Sequence, residues 1–272
     1  NIPLLVHEQN AAAGLTNRML SRFATKVCCA FPKAFSSSID VDVVGNPLRA
    51  SIGHTKKESE TVDFAKHETI ENSKRNILVV GGSLGAQVLN QTLPQSIKVL
   101  NDTFGGISVW HQTGKNNQEK VIKEYENIII GANSTIKVDE FITDMATAYK
   151  WADIVICRAG ALTVSELAMS ATPAIFVPLP HAVDDHQTKN AQYLVSRGAA
   201  KLLPQNEFNE HSLTSLITEL FDDSKTLTIM AAAAFDAADD EATTKVASLC
   251  QQLLSKNKAV NTVLRSNKKE MK

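Results

Sequence analysis

The sequence predicts an α/β protein whose main body is a doubly wound parallel sheet. From Asn76 onward, short apolar runs alternate with amphipathic stretches, and several of those runs end in turns that open directly into a helix. The 272 residues, 43% hydrophobic and 21% charged, have the length and composition of an ordinary globular chain of one or two domains. Parallel neighbours need long right-handed crossovers, so regular strand-helix alternation implies helices on both faces of one sheet.

The first unit, residues 1–48, opens on Asn-Ile-Pro-Leu-Leu-Val, an apolar strand pattern, followed by a helix around Leu15 to Phe23 and a short strand near Val41 to Val44. Those elements cannot close a core by themselves. No Met, capped helix or tail precedes the first strand, so the chain is expected to begin inside a fold, with an N-terminal portion absent. Residues 49–75 read as a linker, because Ser51 to Arg75 carries ten charged residues among 25 and no sustained period. The second unit, 76–236, holds the alternation. Its strands are expected at Asn76 to Val80, Ile107 to His111, Ile136 to Phe141, Asp153 to Cys157, Ala174 to Val177 and Ala200 to Leu203. Helices are expected at Ala86 to Leu100, Asn117 to Asn127, Asp144 to Ala152, Leu162 to Ser170 and His186 to Arg197. After Asn209 the chain reads as helical through Leu254, with an Ala-rich stretch from Met230 to Ala238, and residues 237–255 are expected to return as a helix to the first unit. The last residues, Lys256 to Lys272, hold six basic residues and one acid. They read as a disordered, solvated tail, with attraction to anionic lipid as the sharper alternative.

Charge and cysteine usage narrow the function. Twenty-eight Lys and Arg against 29 Asp and Glu give a net charge of −1, so no global basic field marks a nucleic-acid binder. Cys28, Cys29, Cys157 and Cys250 form no C-x-x-C pair and no zinc spacing, and read as reduced thiols. No apolar run approaches the roughly 18 residues of a membrane span, and no signal segment opens the chain.

Ligands of an open α/β sheet bind beyond the carboxyl ends of its strands. Three loops there are unusual. Gly81-Gly82-Ser83-Leu84-Gly85-Ala86 follows a strand and opens a helix, where glycines allow close backbone approach and free N–H groups favour a phosphate. It matches neither G-x-G-x-x-G nor a P-loop, which counts against dinucleotide binding and phosphoryl transfer; a plain tight turn is the alternative. Arg158 to Glu166 again runs from a strand into a helix. Glu166 could accept hydrogen bonds from the vicinal hydroxyls of a ribose, or could close a Thr163-x-x-Glu166 capping box on its own helix. The third loop contains His181, Asp184, Asp185 and His186, but no second cluster completes a metal site, and Asp184 fits a helix N-cap. Gln187 and Asn190, one turn apart, are better suited to the neutral hydroxyl or amide groups of a sugar. Phosphate loops, a ribose-binding acid and an amide pair point to a nucleotide-sugar, and no Ser-His-Asp order or close carboxylate pair competes for hydrolysis.

In the same order along the chain, His7-Glu8-Gln9-Asn10, Gly14-Leu15-Thr16-Asn17, Gly45-Asn46-Pro47-Leu48-Arg49, Gly81 to Ala86, Trp110-His111-Gln112-Thr113-Gly114, Glu140-Phe141-Ile142 and Arg158 to Glu166 resemble the MurG family. These bacterial glycosyltransferases move N-acetylglucosamine from its UDP donor to the undecaprenyl-linked muramyl-pentapeptide of peptidoglycan synthesis, a step that serves cell shape and division. The resemblance implies a GT-B fold, with two Rossmann-like domains. Residues 1–48 would be the C-terminal part of the acceptor-side domain and 76–236 the UDP-sugar domain. It also implies that Arg158 to Glu166, including Ala161, Leu162, Thr163, Val164, Ser165 and Glu166, lies along the donor's diphosphate and ribose. Ser83 would contact phosphate, the backbone of Ile142 the uracil edge and Gln187 the sugar, with Asn10 and Arg49 reaching in from the domain junction. His7, Asn17, Asn90 and His186 receive no role.

The family's N-terminal glycine-rich loop with a neighbouring histidine has no counterpart here, so the general base is expected outside this chain and no catalytic residue is assigned. No cofactor and no metal are implied. The expected reaction is an inverting, metal-independent displacement at the anomeric carbon. The implied location is the cytoplasmic face of the bacterial inner membrane, as a peripheral protein. Three alternatives stand beside it: a UDP-sugar-binding module with no transfer activity alone, a sugar-nucleotide 2-epimerase, and a dehydrogenase, which the glycine spacing disfavours.

Overall fold

The computed structural model describes residues 2–52, 75–83, 85–128, 133–180 and 185–255, and of Ser224 the backbone alone. Most of the expected linker, the whole basic tail, Leu84, and residues 181–184 with Asp184 and His181 lie outside them. The chain divides into two compact units, one formed by the residues up to Leu48 together with those from Asp239, the other by Arg49–Ala238.

In the smaller unit, β1 (Leu5–Glu8), β2 (Lys26–Cys29) and β3 (Asp42–Val43) form a parallel sheet in that order, with α1 (Leu15–Leu20) between the first two. The strand β2 was not expected: it follows the helix closely, and its alternation is masked because Val27, Cys28 and Cys29 are all buried. Burial pushes both thiols up to about 11, and each donates a weak hydrogen bond to a carbonyl, Cys28 to Val6 and Cys29 to Phe31. His7 Nε2 donates to the Gly45 carbonyl at 3.0 Å, so this histidine ties β1 to the end of β3. Glu8 is buried, and its carboxylate gathers the loop that follows: it accepts from Asn10 N, Asn10 Nδ2, Gly14 N and Asn17 Nδ2 at 2.8–3.2 Å.

The larger unit is a six-stranded sheet of β4 (Arg75–Val80), β5 (Ile107–Gln112), β6 (Thr135–Asp139), β7 (Ile154–Cys157), β8 (Ala174–Phe176) and β9 (Ala200–Leu202). All neighbours are parallel, in the order β6-β5-β4-β7-β8-β9. The helices α2 (Gln87–Phe104), α3 (Gln118–Glu126), α4 (Met145–Trp151), α5 (Ala161–Met169) and α6 (His186–Val195) fill the crossovers, giving the alternation read from the sequence. Because crossovers are right-handed, the run β4 to β6 puts α2 and α3 on one face, and the opposite run β7 to β9 puts α5 and α6 on the other. Side chains follow the pleat: Ile77, Val79, Ile107, Val109, Ile154 and Ile156 pack with Leu89, Leu93, Ile97 and Leu100 of α2 on the first face.

The C-terminal segment departs from a continuous helix. It is α7 (Glu210–Asp222), α8 (Ser224–Ala237) and a further helical run at 242–255, so the returning helix begins five residues later than expected. Short carboxylates cause both breaks by capturing backbone N–H groups. Asp223 accepts from Lys225 N and the Thr226 hydroxyl, and Asp239 accepts from Glu241 N.

Where strand order reverses, β4 and β7 lie side by side with Val80 paired to Cys157, so the loops leaving them start together. The β4 loop turns through Gly82 (φ 81°) and Gly85 (φ 75°). At Gly85 a Cβ would lie 2.2 Å from the Thr113 carbonyl oxygen, which a side chain of any size would displace. Gly85→Ala is therefore expected to cost about 2–4 kcal/mol, from positive φ and overlap together. A urea midpoint within error of wild type would refute this.

Candidate functional site

Two helix starts open at the reversal point. The helix α2 begins after Ala86 and α5 after Gly160, which brings no side chain of its own to the first turn. First-turn N–H groups carry the positive end of each helix dipole, so the two loops present backbone donors to an anion without a fixed cation. Ser83 is exposed at the tip of the first loop. In the second, Ala161 and Val164 pack inward while Leu162 is exposed and Thr163 half-buried; the Ser165 hydroxyl turns back to the Ala161 carbonyl at 3.1 Å.

Glu166 is the group with the most specific surroundings. Its Oε2 accepts a hydrogen bond from the Tyr149 hydroxyl of α4 at 2.9 Å, and Arg49 Nη2 lies 3.9 Å from Oε1. With the helix starting after Gly160, Glu166 falls in the second turn, one turn beyond the capping position, which corrects the capping-box alternative. Burial pushes its carboxyl above the ordinary glutamate range; the Tyr149 hydrogen bond and the Arg49 charge work against that shift. The result is a half-enclosed carboxylate with one oxygen already occupied and the other facing an exposed arginine.

Other expected residues are placed differently. Arg158 does not turn to the loops: its guanidinium donates to the Val177 and Pro178 carbonyls and to Gln205 Oε1, tying the ends of β7 and β8 together. Asn190 is fully buried and donates to the Ala159 carbonyl at 3.1 Å, so it holds α6 to the second loop. Gln187 is half-buried, and its Oε1 accepts from Leu179 N. The N-cap position of α6 is Asp185, in the left-handed region. Ile142 is buried, and its N–H is held by Gln112 Oε1 at 2.9 Å. Asn10 lies in the smaller unit, its side chain on Glu8. No group of three or more potential metal ligands occurs among the described residues.

Four side chains matter here that sequence reasoning passed over: Glu8, Gln112, His111 and Tyr149. The first three stand inside motifs already singled out, but as residues whose partners are distant in sequence. Tyr149 carries no local signal at all. His111, fully buried on β5, meets Asn90 Oδ1 through Nε2 and the Tyr125 hydroxyl through Nδ1, both at 3.1 Å.

Fold and site together define a nucleotide-binding α/β protein with its ligand crevice at the switch point of the larger sheet. Comparison with known proteins makes this specific. Residues 76–253 match the glycosyltransferase family 28 C-terminal domain. Over 270 residues, 99% of this chain and 67% of the relative, the sequence is 63% identical to the UDP-N-acetylglucosamine--N-acetylmuramyl-(pentapeptide) pyrophosphoryl-undecaprenol N-acetylglucosamine transferase of Colwellia psychrerythraea. The crystal structure of Acinetobacter baumannii MurG superposes with a TM-score of 0.78 at 42% identity, covering 93% of this chain and 67% of that one. A UDP-GlcNAc 2-epimerase from Neisseria meningitidis shares the fold, with a TM-score of 0.60 at 13% identity over 92% of this chain and 69% of its own. The chain belongs to the MurG family, and its larger unit is the Rossmann-like C-terminal domain of a GT-B glycosyltransferase.

Glu166 and Glu8 give opposite pH signatures. The folded state holds the Glu166 proton more tightly than the unfolded chain, so ionised Glu166 subtracts stability as pH rises above the ordinary glutamate range. Glu166→Gln, which can still accept from Tyr149, is expected to melt no lower than wild type at pH 7; a clear loss would contradict it. For Glu8, burial alone would raise the pKa, but the hydrogen bonds from Asn10, Asn17 and Gly14 outweigh it and the carboxyl is lowered. Its contribution is present above the unfolded pKa and lost as pH falls through the folded one. Glu8→Gln is expected to cost about 2 kcal/mol at pH 7, because an amide NH₂ would face two donors, and less at low pH. Equal costs at both pH values in denaturant melts would refute this.

Proposed function

We propose that this protein transfers N-acetylglucosamine from UDP-N-acetylglucosamine to the undecaprenyl-pyrophosphoryl-linked muramyl-pentapeptide, converting lipid I to lipid II in peptidoglycan synthesis, and so serves cell shape and division. The observation that carries the reading is the placement of Glu166 in the second turn of α5, just behind a helix start at the reversal of strand order, in a chain similar along nearly all its length to transferases bearing that description. In this reading the diphosphate lies across the α2 and α5 starts and Ser83. Glu166 accepts from the ribose diol, the backbone at Ile142 meets the uracil edge, and Gln187 meets the sugar. Arg49 supports Glu166 and the donor, and Asn10 enters from its motif alone.

The acceptor hydroxyl attacks the anomeric carbon, giving up its proton to a general base, as the bond to the diphosphate oxygen breaks and UDP leaves with the electron pair. Charge growing on that leaving group is met by backbone N–H groups already fixed by the fold, which lowers the barrier without reorganisation. None of the residues above is proposed as the general base. The acceptor carries an undecaprenyl chain, so the reaction is proposed to take place at the cytoplasmic face of the inner membrane with the protein bound peripherally. No helix among the described residues is long and apolar enough to cross a membrane.

Glu166→Ala is expected to raise KM for the donor and lower kcat/KM by about 10–100-fold through loss of a charged hydrogen bond to the diol. The effect is expected to shrink with the 2′-deoxyribose donor, and activity to survive a chelator. Undiminished activity in Glu166→Ala overturns the reading. Release of an epimerised sugar without acceptor favours the epimerase alternative, and donor binding without transfer favours the binding module.

A further inference from the structure

Through its two faces the end of β5 reaches two loops of the larger unit, the one after β4 and the one after β6. Alternation sends His111 to the face covered by α2 and α3, and Gln112 to the opposite one. On the first face the hydrogen bonds can be oriented without ambiguity. Asn90 Nδ2 donates to the Thr113 carbonyl at 3.1 Å, so Asn90 Oδ1 is the acceptor for His111; Nε2 of His111 therefore carries the proton, and Nδ1 accepts from the Tyr125 hydroxyl. Burial lowers the His111 pKa to about 3, which keeps this neutral tautomer throughout the physiological range. The far end of the chain, the Thr113 carbonyl, is the group against which Gly85 is packed too closely for any side chain. On the second face, Gln112 Oε1 fixes the Ile142 N–H and with it the plane of the preceding peptide.

We infer that His111 and Gln112 are positioning residues for two different parts of the donor: His111, through Asn90 and Thr113, sets the Gly81–Gly85 loop for the diphosphate, while Gln112 sets the Ile142 backbone for the nucleobase. This rests on the donor reading of those loops given above. Neither residue touches the ligand. Each acts through a backbone that a buried polar side chain holds in one place, and a buried donor or acceptor left unpaired is costly enough to enforce that arrangement.

The test compares two probes, UDP and uridine, by calorimetric titration of the full chain. His111→Phe is expected to weaken UDP about tenfold and to leave uridine within twofold, whereas Gln112→Leu weakens both by the same factor. His111→Gln, whose amide nitrogen can still donate to Asn90 Oδ1, is expected to restore UDP binding to within threefold. Asn90→Ala, at the other end of the same chain, is expected to repeat the selective loss if His111→Phe does not fold. A role in folding alone would lower the melting temperature and weaken both probes together in the His111 and Asn90 variants, and that result overturns the inference. So do variants that bind UDP as the wild type does. A wild-type chain that binds neither probe overturns the donor reading itself, and this inference with it.

Discussion

The reversal of strand order between β4 and β7 is the constraint on which the rest of this molecule depends. Right-handed crossovers cannot lead away from two adjacent parallel strands in opposite directions without placing their helices on opposite faces. The crevice that results is an outcome of chirality, and no residue has to be recruited to open it. Because Val80 and Cys157 are register partners, α2 and α5 begin from neighbouring points. Their first-turn N–H groups, at the positive end of each helix dipole, supply the anion-binding character that a chain with a net charge of −1 does not carry as a field.

Around that crevice the polar groups are divided between those that hold the frame and those left toward the ligand. Arg158, Asn190, His111 and Gln112 direct polar atoms to backbone groups or to side chains of neighbouring elements, and so tie together parts of the frame that apolar packing alone would leave less fixed. Glu166 is the exception. Among the described residues its one strong partner is a tyrosine hydroxyl, and the arginine beside it is largely exposed and so contributes little to its stabilisation. A carboxylate under-satisfied in this way is a poor contributor to stability and a good acceptor for a ligand's hydroxyl groups.

The fold was largely legible in the sequence because its signals are local. Each strand of the larger sheet is a short apolar run closed by turn residues, and each helix repeats its apolar positions. What failed were features whose cause is not local. The strand β2 has no alternation because both its faces are covered. The breaks near Asp223 and Asp239 depend on carboxylates folding back onto N–H groups, in segments whose composition favours helix. At the site, Glu166 stood out in the sequence as a candidate, but its choice between capping its own helix and leaving it depends on where α5 starts. The helix starts after Gly160, and Tyr149, from another crossover, takes one carboxylate oxygen. Asn190 and Gln187 look equivalent one helical turn apart, yet only the structure distinguishes the amide that is buried from the one that is not.

The thiols described with the fold lead to a practical consequence. Three of the four cysteines, Cys28, Cys29 and Cys157, are buried and have their ionisation pushed up, so they offer neither access nor thiolate to an electrophile. Cys250 alone is exposed, on the helical run at 242–255 that belongs to the smaller unit. The wild-type chain therefore carries a single handle for a fluorophore or spin label, on the smaller unit. A reporter can be attached there without first removing any other cysteine.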